Sequence, residues 1–489
     1  MKSCSTVLRG TLRWLAIFGI ACVVFAALAP QGFYRADGPR LVLHLLRENP
    51  VWPQHPLYLP IVIGFGRVLE ALGIELPPFD VCRVAAHIGT AAGLAFADVG
   101  MQRLFAAGKA AWRSAAATVL VATCPAVVLF GSVVEIHGVF FGFAGLSFAL
   151  LCLALPRLAL PRTSSAAWSE VAFALLAGAV SAVATAVHAS GLLLPAAFLP
   201  LFVSVVAKPV DGGHAARGRA LAVALSFVAA HVGLVFVVAD PFGASRFVEE
   251  GFGRPQGVEH LPRVVLDEYV LALMPLSVLG LAVGFQRTTR WLGVAAFLAA
   301  LPYCAAALEL LVAEPEFGAY LLPLALPLAY VCVRAYAAPI LVLAAVVASV
   351  LGLATLRVFA PSAEDLRYRA DLSTCIGEDR GMIFVGAVDE LTNLLIAEPA
   401  LDIVPLDEIL VQAPEAVRAT LPIFDAKLRD EWAKGRRTWL SGGARALLAS
   451  DTDALPLRSR SVLAEHLDAQ YEWRAVSRGS CELYELVPR

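Results

Sequence analysis

Eleven runs of about 20 mostly apolar residues follow one another through the first 360 positions. They lie at roughly 12–30, 83–105, 114–133, 137–156, 169–187, 190–207, 220–239, 266–285, 291–311, 319–335 and 338–358. Each is long enough to cross the hydrocarbon core of a bilayer as a helix. No other feature constrains the fold as strongly, because backbone in lipid must satisfy its own hydrogen bonds, and only helices and closed barrels do so. The charges agree with this reading: residues 361–489 carry 37 of the 78 charged side chains and the first 360 carry the other 41. At 59% apolar and 16% charged, the whole chain cannot be one water-soluble globule. The expectation is an all-α polytopic membrane region over 1–360 and a small soluble α/β domain over 361–489. A net charge of −2 provides no basic field for nucleic acid.

A further apolar stretch, residues 57–73, is shorter and is interrupted by Pro60, Gly64, Gly66 and Arg67. Its status follows from the loop charges, since cytoplasmic loops carry an excess of Lys and Arg. With Lys2, Arg9 and Arg13 cytoplasmic and 57–73 lying at the interface, the cytoplasmic loops hold Arg103, Lys109, Arg113, Arg157, Arg162, Lys208, Arg217, Arg219, Arg287, Arg290 and Arg334. The loops around Glu135, His188 and Glu314 then face outward with no Lys or Arg. The exceptions are Arg35, Arg40 and Arg47 in the first outer loop and Arg246, Arg254 and Arg263 in a later one. This gives eleven spans, an outer loop over 31–56 with interfacial helices to 73, and a C-terminal domain outside the cytoplasm of a multi-pass cell (inner) membrane protein. In a competing reading the first segment is a signal peptide, because Ala27-Leu28-Ala29 resembles a cleavage site. Residue 31 emerges on the outer side in both.

Ionisable groups at membrane depth are costly and tend to be functional, and here they gather on one face. In the first outer loop Asp37 precedes Gly38-Pro39 and starts a short helix, with Arg40 and His44 on the same face at i+3 and i+7. Asp37 suits a helix cap as well as a base, and the two roles are compatible. His55 and Tyr58 close that loop. Glu135 and His137 follow the third span, His188 lies between the fifth and sixth, and Glu309, Glu314 and Glu316 lie at the mouth of the ninth and tenth. Arg83 and His87, one turn apart near the outer end of the second span, suit an anionic headgroup or an internal pairing equally. Asp98 and His231 are assigned no chemistry.

Cysteines occur at nine positions with no CxxC pair, so no structural zinc site is expected. Glu135 with His137 is the one weak metal alternative. No cofactor is expected to be required.

These residues resemble the GT-C superfamily of membrane glycosyltransferases, in the branch related to protein O-mannosyltransferases. An outer-loop acid followed by His55-Pro56-Leu57-Tyr58 is similar to that family's loop acid and interfacial Pro-Leu-Tyr-like element. Ser132-Val133-Val134-Glu135-Ile136-His137 resembles its Ala-Glu-Val-Tyr element, His188 a histidine between two spans, and Glu316-Phe317-Gly318-Ala319-Tyr320-Leu321-Leu322-Pro323 its Glu-Arg-Tyr-Leu-Leu-Pro stretch. The departures are His137 for Tyr, Phe317 and Gly318 where Arg is frequent, and one loop acid where some relatives carry two.

The resemblance implies inverting transfer of a hexosyl or pentosyl group from a polyprenyl-phosphate donor to a lipid, glycan or protein acceptor. Asp37 and Glu135 would then be the catalytic carboxylates, and Arg40, His55, Tyr58, Arg83, His137, His188 and Glu316 would bind substrate. Membrane lipid is the other expected partner. The rival reading is a transporter or flippase of a lipid-linked sugar, which calls for mid-membrane ionisable groups and a repeated half.

In the C-terminal domain, strands are expected at 382–388, 438–440, 471–476 and 481–487, the last two as a hairpin, with helices over 389–397, 415–434 and 441–449. Its role is expected to be acceptor recognition or stability. It holds Cys375 and Cys481, a candidate disulfide in an oxidising compartment.

Overall fold

A computed structural model describes residues 2–30, 32–33, 37–47, 55–105, 111–155, 164–206, 213–238, 258–310, 316–376, 381–386, 388–397, 401–449 and 459–489. The chain divides into two compact units. The first comprises Met1–Ala29, Glu48–Glu75 and Val81–Val358, and the second Pro30–Arg47, Leu76–Asp80 and Phe359–Arg489. Helices begin the chain as α1 (Lys2–Leu28), α2 (Asp37–Leu46), α3 (Tyr58–Ala71), α4 (Pro78–Phe105), α5 (Ala111–Thr123), α6 (Pro125–Ser132), α7 (His137–Ala154) and α8 (Ser164–Val187).

Among the described residues eight helices are long and apolar enough to cross a membrane, and up to ten if each of two bent pairs is one span; Leu322–Ala335 is a shorter apolar helix. Each of the eleven apolar runs corresponds to one of these segments, and they make the chain an integral membrane protein. Two runs are not the straight rods that composition suggests. Trp112–Thr123 and Pro125–Ser132 meet at 61°, and Leu261–Leu271 and Leu276–Val283 at 103°. The breaks lie at Pro125 and Pro275, which lack the N–H a continuous helix requires and push the preceding residue out of helical geometry; Cys124 accordingly sits at ψ 128°. Residues 57–73 form α3, whose 14 residues reach about 21 Å, short of a bilayer core of about 30 Å.

The α4–α7 contact places the residues of interest. A Cβ added at Gly145 would lie 2.4 Å from the Gly93 carbonyl oxygen, and one at Gly138 would lie 2.6 Å from that of Ala86. The two backbones therefore touch, as small residues allow in membrane helix pairs. The pairing is parallel, so the starts of both helices, with Arg83, His87, Glu135 and His137, come to the same end.

Further along α4, Asp98 is 1% exposed and accepts from four donors. These are Arg13 Nε at 2.8 Å and Nη2 at 2.6 Å, Gln102 Nε2 at 2.5 Å and Thr118 Oγ1 at 2.9 Å. The ion pair ties α1 to α4, and Thr118 adds α5.

The second unit holds a five-stranded sheet of order β2-β1-β3-β5-β4: β1 (Met382–Val385), β2 (Asp402–Pro405), β3 (Thr438–Ser441), β4 (Tyr471–Arg478) and β5 (Cys481–Pro488). β1 pairs in parallel with β2 and β3, and β5 runs antiparallel to both β3 and β4. Helices Val388–Ala397 and Pro414–Ala433 make the crossovers. Met382, Phe384, Leu406, Leu428, Leu440 and Leu467 form the core. β2 and the helices Ala363–Ile376 and Arg460–Gln470 go beyond the sequence expectation.

This unit also claims α2, which packs on Val388–Ala397 with Leu41, Val42 and Leu43 buried. Arg47 Nη2 donates to the Ile403 carbonyl at 2.9 Å.

Candidate functional site

Three histidines far apart in sequence meet in the first unit. α8 ends at Val187, and His188 leaves the helix in extended geometry (φ −151°, ψ 130°). Its Nδ1 accepts from the Ser190 N–H at 3.3 Å and lies 2.8 Å from Ser190 Oγ. The end of α8 also holds the start of α3, because the Leu57 N–H donates to the Ala186 carbonyl at 3.0 Å and that of Tyr58 to the His55 carbonyl at 3.1 Å. The His55 ring consequently stacks on His188 at 5.0 Å and 11°. His188 further meets His137 at 4.4 Å, Tyr320 at 5.1 Å and Phe140 at 5.3 Å, and His137 meets Phe130 at 4.7 Å. Five separate segments thus deliver rings to one cluster with His188 at its centre.

Burial decides the charge state of this cluster. Desolvation lowers His55 to about 4, against the opposing effect of a hydrogen bond to the Val187 backbone. Burial, then His137 and His55, hold His188 well below the usual histidine range. Both rings are neutral near pH 7. With Nδ1 accepting, the proton of His188 resides on Nε2, so this residue offers a neutral N–H donor and no cation.

Glu135 is 2% exposed. Its Oε1 accepts from the Ile136 N–H at 3.2 Å and lies 3.6 Å from His137 Nδ1, a contact too long for a hydrogen bond. Tyr58 is fully buried, and burial, Cys82 and Glu135 together push its phenol well above the usual range. Neither ring nitrogen of His137 nor the Tyr58 hydroxyl finds a hydrogen-bond partner among the described residues. Arg83 is half-buried at the start of α4, and His87 spends its Nδ1 on the Gly131 carbonyl at 2.7 Å.

Glu316 is half-buried and opens the turn that delivers Tyr320. Its N–H and that of Gly318 both donate to Glu268, at 2.6 Å to Oε1 and 2.6 Å to Oε2. Glu268 is a residue the sequence reading passed over. The available signal was an acid inside the apolar run 266–285.

No known protein family and no curated protein sequence matches the chain. Solved structures do. Apo ArnT from Cupriavidus metallidurans aligns with a TM-score of 0.57 and 13% identity, over 96% of this chain and 97% of that one. The same protein bound to undecaprenyl phosphate aligns at 0.56 and 13%, over 96% and 98%. The chain has the same fold as ArnT. The apo Archaeoglobus fulgidus oligosaccharyltransferase aligns at 0.49 and 12%, over 97% of this chain and 74% of that one.

Within this fold the sequence-nominated residues divide between the two units. His55, Tyr58, Arg83, Glu135, His137, His188 and Glu316 belong to the first, and all but Arg83 and Glu316 are buried. Asp37 and Arg40 belong to the second: Asp37 is the first residue of α2 and Arg40 is half-buried one turn on. The side chains of Asp37 and Glu309, and all of Glu314, lie outside the described residues.

At the ends of β1 and β3, where an α/β sheet usually binds ligands, Glu390 is held by groups of the β3 end. The Glu390 carboxylate accepts from Ser441 Oγ at 2.5 Å and the Gly443 N–H at 2.7 Å. No group of three or more His, Cys, Asp or Glu suited to a metal ion occurs among the described residues.

Proposed function

We propose that the chain transfers a sugar from a polyprenyl-phosphate donor to a lipid, glycan or protein acceptor on the outer face of the membrane, with inversion at the anomeric carbon. The observation that carries this reading is the His55, Tyr58, Glu135, His137 and His188 cluster, assembled in a chain that shares the fold of ArnT, a protein crystallised with undecaprenyl phosphate. In the proposed reaction Asp37 takes the acceptor's hydroxyl proton as the oxygen attacks the anomeric carbon. The bond from that carbon to the phosphate oxygen breaks, and the lipid phosphate leaves with the electron pair. Arg83 and Arg40 supply cations to the departing phosphate and His188 a neutral N–H. Glu135 orients the acceptor or shares the base role, and His55, Tyr58, His137 and Glu316 line the site. Such a transfer needs no metal or other cofactor.

Mass analysis of glycolipids and glycoproteins from cells with and without the gene tests the reading. One class of glycoconjugate should lose a hexose or pentose while its polyprenyl-phosphate donor accumulates. Unchanged profiles would contradict it. The transporter reading fares less well, because Asp98, a buried acid inside a span, is committed to Arg13, Gln102 and Thr118.

The proposed orientation has the N-terminus inside and the C-terminal unit outside. Reporters fused after Gly73 and at the C-terminus should be exported, and one fused after Lys109 should stay cytoplasmic. The C-terminal fusion also reads whether the pair bent at 103° crosses the membrane.

The same orientation exposes two thiols to an oxidising compartment. Cys375 and Cys481 are neighbours, with Cys375 Sγ 3.9 Å from the Cys481 carbonyl oxygen, and both are free thiols in the structure. Peptide mapping of the exported protein without reductant should recover them joined. Two alkylatable thiols would argue against the bond and against the orientation.

A further inference from the structure

Glu268 is 2% exposed and stands on Val264–Leu271, the first half of the sharply bent pair. A carboxylate buried in a membrane protein is costly unless it is satisfied, and this one accepts from two backbone N–H groups of a single turn, Glu316 and Gly318, at 2.6 Å each. The turn needs such an anchor. Phe317 has φ 46° and Gly318 φ 77°, and the left-handed region is unfavourable for a bulky side chain. The N–H groups on either side of Phe317 converge on one anion, the Glu268 carboxylate.

The turn is also seated on the segment that supplies the carboxylate, since a Cβ at Gly318 would lie 2.5 Å from Ala272 Cβ. That segment is fixed in turn by the Ala126 N–H, which donates to the Ala272 carbonyl at 3.0 Å. Two residues beyond Gly318, Tyr320 meets His188 at 5.1 Å and His137 at 6.4 Å.

We infer that Glu268 is a positioning residue of the lipid-phosphate site, holding the Glu316–Gly318 turn left-handed so that Tyr320 closes the histidine cluster. The inference rests on the function proposed above. It separates Glu268 from an acid that merely stabilises the bundle, because its effect runs through the conformation of Phe317. Glycine adopts φ 46° without help, so Phe317→Gly should substitute for the anchor.

The test uses the full chain in lipid nanodiscs, undecaprenyl phosphate as the probe, and amide exchange over residues 316–320. Glu268→Ala should speed that exchange and weaken undecaprenyl phosphate binding about tenfold or more. Adding Phe317→Gly should restore most of the affinity. Glu268→Gln, which keeps one acceptor oxygen, should fall between, and it carries the same comparison if the alanine variant does not fold. Unaltered affinity in Glu268→Ala, or a loss that Phe317→Gly leaves unrepaired, would overturn the inference. Unchanged exchange over 316–320 would overturn the positioning alone. A wild-type chain that does not bind undecaprenyl phosphate would overturn the functional reading and remove this site's ligand with it.

Discussion

Asp37→Asn should leave the chain folded and slow sugar transfer about 10²-fold or more. Asparagine matches aspartate in size and caps a helix nearly as well, so α2, which begins at Asp37, has no reason to unwind. Its packing is also independent of the substituted group, because Leu41, Val42 and Leu43 provide the buried face and Arg47 bonds to Ile403. What the substitution removes is the basic carboxylate. Glu135→Gln should also reduce turnover, by less if Glu135 only orients the acceptor. The measurement pairs turnover of the purified chain on its polyprenyl-phosphate donor with thermal unfolding of the same sample. Turnover within a few-fold of the parent would take Asp37 out of the mechanism, and a large fall in unfolding temperature would assign the loss to structure.

The largest effect on stability is expected at Asp98. Replacing its partner Arg13 with methionine should destabilise the chain by about 3–5 kcal/mol, the range seen when one member of an ion pair is removed and the other is left buried and unpaired. Three donor side chains converge on this carboxylate from α1, α4 and α5, and at 1% exposure it keeps only the neutral donors Gln102 and Thr118 once Arg13 is lost. Asp98→Ala should cost less, because the Arg13 guanidinium it frees is 37% exposed and reaches water. A double-mutant cycle separates the pair from its surroundings: Asp98→Ala with Arg13→Met should destabilise by clearly less than the sum of the two singles. Additive losses would mean that the pair contributes nothing beyond its separate packing.

Periodicity and composition carry some of this architecture and not the rest. The run at 338–358 is the helix Ala338–Val358, and that at 137–156 contains His137–Ala154, because a span is set by local hydropathy alone. The kinks were written in the chain as Pro125 and Pro275, but their angles depend on what packs around them. In the second unit β2 reads Asp402-Ile403-Val404-Pro405, four residues whose strand character comes from pairing with β1 and scarcely from their own pattern. Ala363–Ile376 did carry a sign, since its buried Arg369, Leu372 and Ile376 recur at helical spacing.

The site was legible as a set of residues and not as an arrangement. His55, His137 and His188 could each be nominated by position, but their stacking depends on the Leu57–Ala186 hydrogen bond and on the α4–α7 contact, both long-range. Burial, which no local pattern reveals, makes His188 a neutral donor. Glu268 stayed invisible for the same reason, because the turn it anchors begins 48 residues later and no local pattern links the two.

The most direct test of the central claim is reconstitution of the purified chain in vesicles containing polyprenyl-phosphate sugars extracted from the host membrane, with the lipids read by mass spectrometry. The account predicts that the glycosylated lipid disappears in step with the appearance of free polyprenyl phosphate and a product of inverted anomeric configuration, and that Asp37→Asn slows both together. Lipid-linked sugar that crosses from one leaflet to the other with its sugar–phosphate bond intact would contradict it and establish a transporter.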